Sequence, residues 1–332
     1  MSNRVGIAAS VDVNAAMQLQ SPGALITDGF QKEITDTLRR SSVLEGRMTY
    51  TPATGDLSTY YEQNTINGGE AVDPRKITST ATSNPRTAHS LKMKAITNQV
   101  NFGLYDNLLG KQQNNFPELR AKDLADMLNG VGLRHGKMLW RGTDTNLMVP
   151  TTLEYVGIPK QITNTFSVGI GASIVSAICA KIAAMIASEV YELMPTAIYI
   201  HPLALHYLEE EEKLASFNST HISNLSKTMV AGLSVQAIQT AAGVLPLIPE
   251  PFMPYTVNAT RTENTDYGFA IVTESMIEYH YVGEKSIGLY ELGTTGNLAD
   301  SYVGVKFGAP VAKGPSYAHA YGVVERPTIV AV

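Results

Sequence analysis

Fifty residues near the front of this chain, Gly46–Ala95, carry no core-forming pattern. The stretch is polar and poor in leucine. Its Thr, Tyr and Val favour strands, and Thr54-Gly55, Asn67-Gly68-Gly69, Asp73-Pro74 and Asn84-Pro85 punctuate them as turns. A compact domain rarely holds so long a segment without an apolar face. The pattern predicts a projecting two-stranded arm whose partner surface lies in another chain.

The preceding segment is equally unlike a domain. Residues 1–27 hold two ionic side chains, Arg4 and Asp12, and show no strong helix or strand pattern. They read either as a frayed tail or as an extended arm that orders only against a partner. A short helix is expected from Asp28 to about Leu44, with Phe30, Ile34, Leu38 and Ser41 along one side. Ordering such pieces costs conformational entropy. Apolar contacts and strand hydrogen bonds between subunits must offset it.

The rest of the chain is core-forming. At 332 residues and 44% apolar, it has material for two lobes. Lys92–Val100 reads as a strand. Asn115 is placed to cap a helix and Glu118 to reciprocate. Leu119, Leu124, Met127, Leu128, Val131, Met138 and Leu139 then give an apolar face up to Arg141-Gly142, a helix of about 36 Å. Gly130 and Gly132 either bend it or admit a neighbour, and Trp140 reads as a packing anchor. A second helix is expected from about Gly169, with Ile170, Ile174, Ile178, Ile182, Ile186 and Val190 at every fourth position. Ala197–Ile200 reads as a strand, Pro202 as the first turn of a further helix, and Glu209–Glu212 as an acidic patch on it. Ser234–Thr240 is a strand candidate and Gly243–Pro254 a stiff apolar loop. Tyr267–Thr273, Ile277–Val282, Ser286–Leu292, Tyr302–Phe307 and Tyr321–Val324 complete the strands. No internal repeat emerges.

Charge argues against a nucleic-acid groove. Residues 1–150 carry sixteen Lys/Arg and fourteen Asp/Glu, a balance of +2; residues 151–332 carry nine and sixteen, a balance of −7. Neither half is built to neutralise many phosphates. Cys179 is the single cysteine, so no internal disulfide forms, and its apolar setting marks it as a small buried hydrophobe. The N-terminus reads poorly as a signal peptide. The apolar run from Val168 is broken by Lys181 after about thirteen residues, short of a membrane span.

Catalytic patterns are wanting. Gly169-Ile-Gly171 lacks the third glycine and strand context of a dinucleotide loop, and there is no Gly-Lys-Ser/Thr phosphate loop, HExxH or Cys-x-x-Cys. His201 and His206 lie five apart and share a helix face poorly; no further zinc ligands are specified nearby. They read as cap or surface groups. Glu209–Glu212 read as a solvated helix face, with a divalent-ion site as the sharper alternative. Ser173 and Ser176 have no activating base. His89, His135, His221, His280 and His319 lack an evident partner set. No catalytic, cofactor-binding or metal residue is assigned.

The order of four stretches resembles the HK97-fold major capsid proteins of tailed bacteriophages. MKAITNQVNFGLYDNLLG, Met93–Gly110, resembles the lead into that family's peripheral domain. FPELRAKDLADMLNGVGLRHGKMLWRGTD, Phe116–Asp144, resembles its spine helix and closing Gly. PTAIYIHPLALHYLE, Pro195–Glu209, resembles the axial-domain strand followed by His-Pro and a helix. GVLPLIPEPFMP, Gly243–Pro254, resembles the later axial loop.

The resemblance covers nearly all the chain from about residue 25. It implies an α+β, HK97-like capsid fold with an N-terminal arm, extended E-loop, peripheral domain with a long spine helix, and axial domain. The implied boundaries are 1–48 for the arm and short helix, 49–92 for the E-loop and 93–165 for the peripheral domain. The axial domain would take 166–264, and 265–332 would return to the peripheral domain, its C-terminal strands contacting the axial one. The implied function is assembly of pentamers and hexamers into an icosahedral shell around double-stranded DNA, touched only non-specifically. The implied partners are copies of itself, a separate scaffold protein, a portal and a decoration protein, with no membrane. The implied location is the virion capsid, assembled in the bacterial host cytoplasm. Lys76 could supply the amine of the covalent cross-link some relatives form, but no matching Asn or Glu motif is found. Arg39, Arg40 and Arg47 are candidates for an inner or intersubunit charge cluster.

Three other readings are distinguishable. An encapsulin-like nanocompartment would enclose protein cargo. A tail or baseplate protein would form rings or tubes. A metal-dependent hydrolase would use His201, His206 and Glu209–Glu212.

Overall fold

The computed structural model describes residues 41–63, 65, 71–75, 84–105, 116–188, 192–217, 225–230, 233–295 and 299–329. The early strands are β1 (Thr49–Pro52), β2 (Leu57–Glu62), β3 (Thr87–Lys92) and β4 (Lys94–Gly103). Helix α1 (Phe116–Arg141) and the short α2 (Ile158–Gln161) precede β5 (Thr165–Val168), α3 (Ile174–Ile186), β6 (Ala197–Ile200) and α4 (Pro202–Phe217). Then come β7 (Leu225–Val230), β8 (Leu233–Thr240), β9 (Gly243–Pro249), β10 (Tyr255–Val257) and β11 (Asn264–Val272). The chain closes with β12 (Ile277–Tyr281), β13 (Gly288–Thr295), β14 (Ala299–Ala312) and β15 (Ala320–Pro327). It is a mixed α+β fold. Two compact units divide it, and the division falls inside β4, α1 and β14.

The larger unit holds an eight-stranded sheet in the order β5-β15-β11-β6-β9-β8-β7, with β10 added beside β11. Its centre is β6. All four β6 residues are buried, as a strand covered on both faces requires, and they pair antiparallel with β11 and parallel with β9. Helices α3 and α4 pack on this sheet. Ile174, Ile178 and Ile182 of α3 and Ala204 and Leu208 of α4 are fully buried against Ile198, Ile200, Leu247 and Phe269.

Two expectations are corrected here, and a third lies mostly outside the described residues. Helix α3 begins at Ile174, not near Gly169. Thr165–Val168 is instead a strand parallel to β15, Gly171 turns the chain with φ +76, and Ser173 caps the helix by accepting from the Ser176 N–H at 3.1 Å. Ile170 is consequently half exposed. The Gly243–Pro254 loop begins as a strand, β9. Its Pro246 sits where the β8 ladder ends and the β6 ladder has yet to begin, so its missing N–H breaks no central pairing. Of the Asp28–Leu44 helix, residues 28–40 lie outside the described residues, and Val43–Gly46 forms a single 3-10 turn.

The larger unit also holds a parallel pair, β1 with β12, and an antiparallel pair, β12 with the end of β14. The polar Gly46–Ala95 stretch contributes the two-stranded antiparallel hairpin β2–β3, in register from Leu57↔Lys92 to Glu62↔Thr87. Its own first strand, β1, is seated on β12, so the hairpin ladder starts at Leu57.

In the smaller unit β13 pairs antiparallel with the first half of β14, and β4 pairs with β14 as well. Gly130 of α1 admits β4. A Cβ there would stand 2.8 Å from the Asn98 side chain, whose amide donates to the Met127 carbonyl at 3.2 Å. The 26-residue helix α1 is about 39 Å long, slightly more than expected. No helix among the described residues is long and apolar enough to cross a membrane.

Candidate assembly site

The residues singled out for chemistry do not converge. His201 caps α4: its Nδ1 accepts the Leu203 N–H at 3.2 Å, and its ring lies against Tyr255 and Tyr267. Burial, helped by the nearby Arg141 charge, pulls its pKa down to about 4. His206 is exposed and pairs along the helix with Glu210 at 3.3 Å. The glutamate run is dispersed. Glu209 accepts from Gln236 at 2.7 Å, and Glu211 accepts from Ser173 and from the Ile174 N–H at the start of α3. Among the described residues no group of three or more His, Cys, Asp or Glu is placed to hold a metal ion.

Cys179 is half-buried beside the core, not fully inside it, and donates weakly to the Gln239 carbonyl at 3.7 Å. Burial first, then the charge of Glu212, raises its pKa, the reverse of nucleophile activation. His319 is fully buried; it accepts the Thr273 N–H on Nδ1 and faces the Lys313 carbonyl with Nε2, so the proton sits on Nε2. Lys76, Arg39, Arg40 and His221 lie outside the described residues. Arg47 is spent within the chain, gripping both oxygens of Glu274 at 2.5 and 2.9 Å, so it is no free member of a charge cluster.

The polar groups that do converge tie together stretches distant in the chain. The first lies at Ser42–Glu45, at the start of the described residues. Glu250, with no exposed surface, accepts the Ser42 hydroxyl at 2.8 Å, the Val43 N–H at 3.0 Å and the Phe252 N–H at 3.2 Å. Trp140, the expected anchor, is buried and donates from Nε1 to Ser42 at 3.1 Å. Burial raises the Glu250 pKa, and the hydrogen bonds oppose it. Beside it Glu45 accepts from buried Lys306 at 2.6 Å. His135 stands 3.6 Å from Glu45 between Tyr155 and Tyr279, with neither ring nitrogen hydrogen-bonded among the described residues. Burial, then the Lys306 charge, holds its pKa well down, so it is neutral.

The second is the root of the β2–β3 hairpin. Ser58 of β2 meets His280 Nδ1 of β12 at 2.7 Å, and His280 Nε2 meets Glu278 at 3.0 Å. Lys313 and Thr51 also donate to Glu278, at 2.5 and 3.2 Å. Burial works to raise the Glu278 pKa, but Lys313, Thr51 and His280 together outweigh it and the carboxyl stays ionised. An ionised carboxylate only accepts, so His280 carries its proton on Nε2 and Nδ1 accepts the Ser58 hydroxyl. The order Glu–His–Ser is that of a nucleophilic triad, yet Ser58 is 8% exposed and its hydroxyl is consumed in tying the hairpin to the body. Higher on the hairpin, His89 stacks on Tyr60 and stands 3.2 Å from Glu62.

A third node secures the hairpin's return. Lys94 donates to Asp144 and to the Thr152 and Glu154 carbonyls. Burial of Asp144 works to raise its pKa, but Lys94 and the Thr151 N–H and hydroxyl hold it far below the usual carboxylate range. The Lys92 N–H reaches the Leu147 carbonyl at 2.9 Å in the same loop. Sequence reading missed these nodes because each joins members far apart in the chain, up to 261 positions for Glu45 and Lys306. Nothing local marks Lys94 or His280.

No family model matches the chain, and no curated protein matches it. Solved structures do. The capsid of the cyanophage P-SCSP1u is 12% identical, covers 90% of this chain and 93% of its own, and superposes with a TM-score of 0.58. The capsid of a native GTA particle is 10% identical over 93% and 98%, with a TM-score of 0.58. An encapsulin complex from Synechococcus elongatus PCC 7942 is 13% identical over 96% and 98%, with a TM-score of 0.55. At such identities the likeness is one of fold. The chain has the HK97-like fold that the four sequence stretches implied, the fold of phage capsid and encapsulin chains.

Proposed function

We propose that the chain is the major capsid protein of a tailed bacteriophage, a structural subunit and not an enzyme. Copies form pentamers and hexamers that close into an icosahedral shell around double-stranded DNA. The observation that carries the reading is the near end-to-end correspondence with capsid chains, 90% of this chain and 93% of the cyanophage capsid. The three anchoring nodes support it. They hold the roots of segments whose remaining surfaces call for a partner.

In this reading 1–48 is the arm, 49–92 the E-loop with β1 as its seated first strand, 93–165 the peripheral domain with α1 as spine, 166–264 the axial domain and 265–332 the return. A separate scaffold protein, a portal and a decoration protein complete the particle, in the virion and, before release, the host cytoplasm. Contact with DNA is weak and non-specific, in keeping with the net charge of −5. Electron microscopy of the expressed protein, with its scaffold co-expressed where needed, tests it. Closed particles tens of nanometres across are expected; rings, tubes or a persistent monomer overturn it.

The encapsulin match favours a second reading, a shell around protein cargo. The contents of purified particles separate the two: nuclease-protected DNA for the first, a co-purifying enzyme for the second.

A further inference from the structure

His135 has no exposed surface, and neither of its ring nitrogens has a hydrogen-bond partner among the described residues. Two unmet nitrogens on a buried imidazole cost stability. A leucine or phenylalanine would fill the same place on α1 without that cost.

The ring's neighbours come from four elements and one loop of the larger unit. Tyr155 and Tyr279 stand edge-on to it, with centroids 5.8 and 4.9 Å away, and their hydroxyls meet each other at 2.9 Å. Tyr50 of β1 lies close by. All three phenols are neutral, since burial raises their pKa values. The charged neighbours are Glu45, on the 3-10 turn Val43–Gly46, and Lys306 of β14, itself 3% exposed. Lys306 Nζ donates to Glu45 Oε1 at 2.6 Å and lies over the rings of Tyr50 and Tyr279, at 5.9 and 5.4 Å. His135 Nε2 stands 3.6 Å from that same oxygen. One carboxylate oxygen thus serves a fixed cation and a ring that can become a second.

The turn that carries Glu45 is lightly held. Leu44 is its one buried side chain. Polar ties supply the rest: Ser42 and Val43 to Glu250, Glu45 to Lys306, Arg47 to Glu274 and the Tyr50 hydroxyl to the Glu45 carbonyl. Within it the Glu45 N–H bonds the Ser42 carbonyl, and the Arg47 and Met48 N–H groups bond that of Leu44.

We infer that His135 is an acid-operated release for the Ser42–Arg47 turn. Protonation places a second cation beside Lys306 in a site closed to water. One carboxylate balances one buried charge, not two, so the turn lifts and admits water. Burial first, and Lys306 second, keep the closed ring neutral. The opened ring accepts the proton that the closed one refuses. The closed turn is therefore fully favoured above the ordinary histidine value of about 6.5 and loses ground as pH falls below it. Glu250, the other buried titratable tie, works the other way. Burial raises its pKa, so acid favours its closed form and it cannot supply the release. The device belongs to the single chain and does not depend on the shell reading.

Amide hydrogen exchange of the purified chain at falling pH tests it, with β6 in the same sample as the reference that cancels the intrinsic effect of pH. The Glu45, Arg47 and Met48 amides are expected to exchange about tenfold or more faster, relative to β6, before far-ultraviolet circular dichroism changes. Trp140, the single tryptophan, donates to Ser42, and its emission is expected to shift to the red in the same step. His135→Phe is expected to remove the step. Lys306→Met is expected to remove it as well, because the imidazolium then has Glu45 to itself; the His135 ring resonances should titrate at higher pH in that variant. A merely structural role would loosen the turn equally at every pH. No local step in the wild type overturns the inference, whether or not a variant folds. A step that survives His135→Phe assigns the release to Glu45 and overturns it too.

Discussion

Ser42 and Glu250 lie 208 positions apart and meet in a buried 2.8 Å hydrogen bond. That contact ties the first of the described residues to the loop after β9. Glu250→Ala strands the buried Ser42 hydroxyl and the Phe252 N–H. It is expected to cost about 3 kcal/mol in urea unfolding of the unassembled chain. Glu250→Gln keeps one acceptor and is expected to cost less than half of that. Equal costs would show that charge, not hydrogen bonding, holds the junction.

The hairpin root makes a local prediction. His280→Ala removes the acceptor of Ser58 and the donor to Glu278. Amide exchange of β2 and β3 is expected to quicken about tenfold, while α3 and β6 are unaffected. A uniform change through the chain would mean that His280 supports the global core and not the hairpin.

His319 makes the pH dependence. Burial pulls its pKa from the ordinary 6.5 down to about 4. Between those values the unfolded chain binds a proton that the folded one refuses. The neutral ring's contribution is therefore complete above about pH 6.5 and is lost as pH falls toward 4, by at most about 3 kcal/mol. His201 acts in the same direction. His319→Gln keeps an acceptor for Thr273 and a donor for the Lys313 carbonyl but does not titrate. Guanidinium midpoints across this range are expected to fall less steeply for the variant. Identical slopes would assign the acid sensitivity elsewhere.

Gly142 ends α1 because nothing larger fits. A Cβ there would meet the Tyr155 carbonyl oxygen at 2.3 Å. Gly142→Ala is expected to destabilise by about 3 kcal/mol or more, since the obstacle is backbone. A thermal shift under about 2 °C would contradict this.

Much of the fold is legible in the sequence. Strand β6, the Pro202 helix start, α1 and its end at Gly142, and most strands after residue 260 follow from periodicity and capping, which are local. Pro246 hid β9, because a proline reads as a loop unless its place at the end of a ladder is known. Gly169-Ile-Gly171 reads as the start of an isoleucine repeat, yet its first member, Ile170, lies outside the helix. The anchoring nodes were illegible for a different reason. A buried Lys94 or His280 is stable only because distant partners arrive, and one sequence carries no mark of that arrival.

The central claim is that the outstretched front of this polypeptide is completed by its own copies. Hydrogen exchange on one preparation, before and after assembly, tests it most directly. The account predicts fast exchange across residues 1–40 and along the outer part of the 57–92 hairpin in the unassembled chain, and strong protection of both in the closed particle. Protection of those segments in the unassembled chain equal to that of β6 and α3 would contradict it.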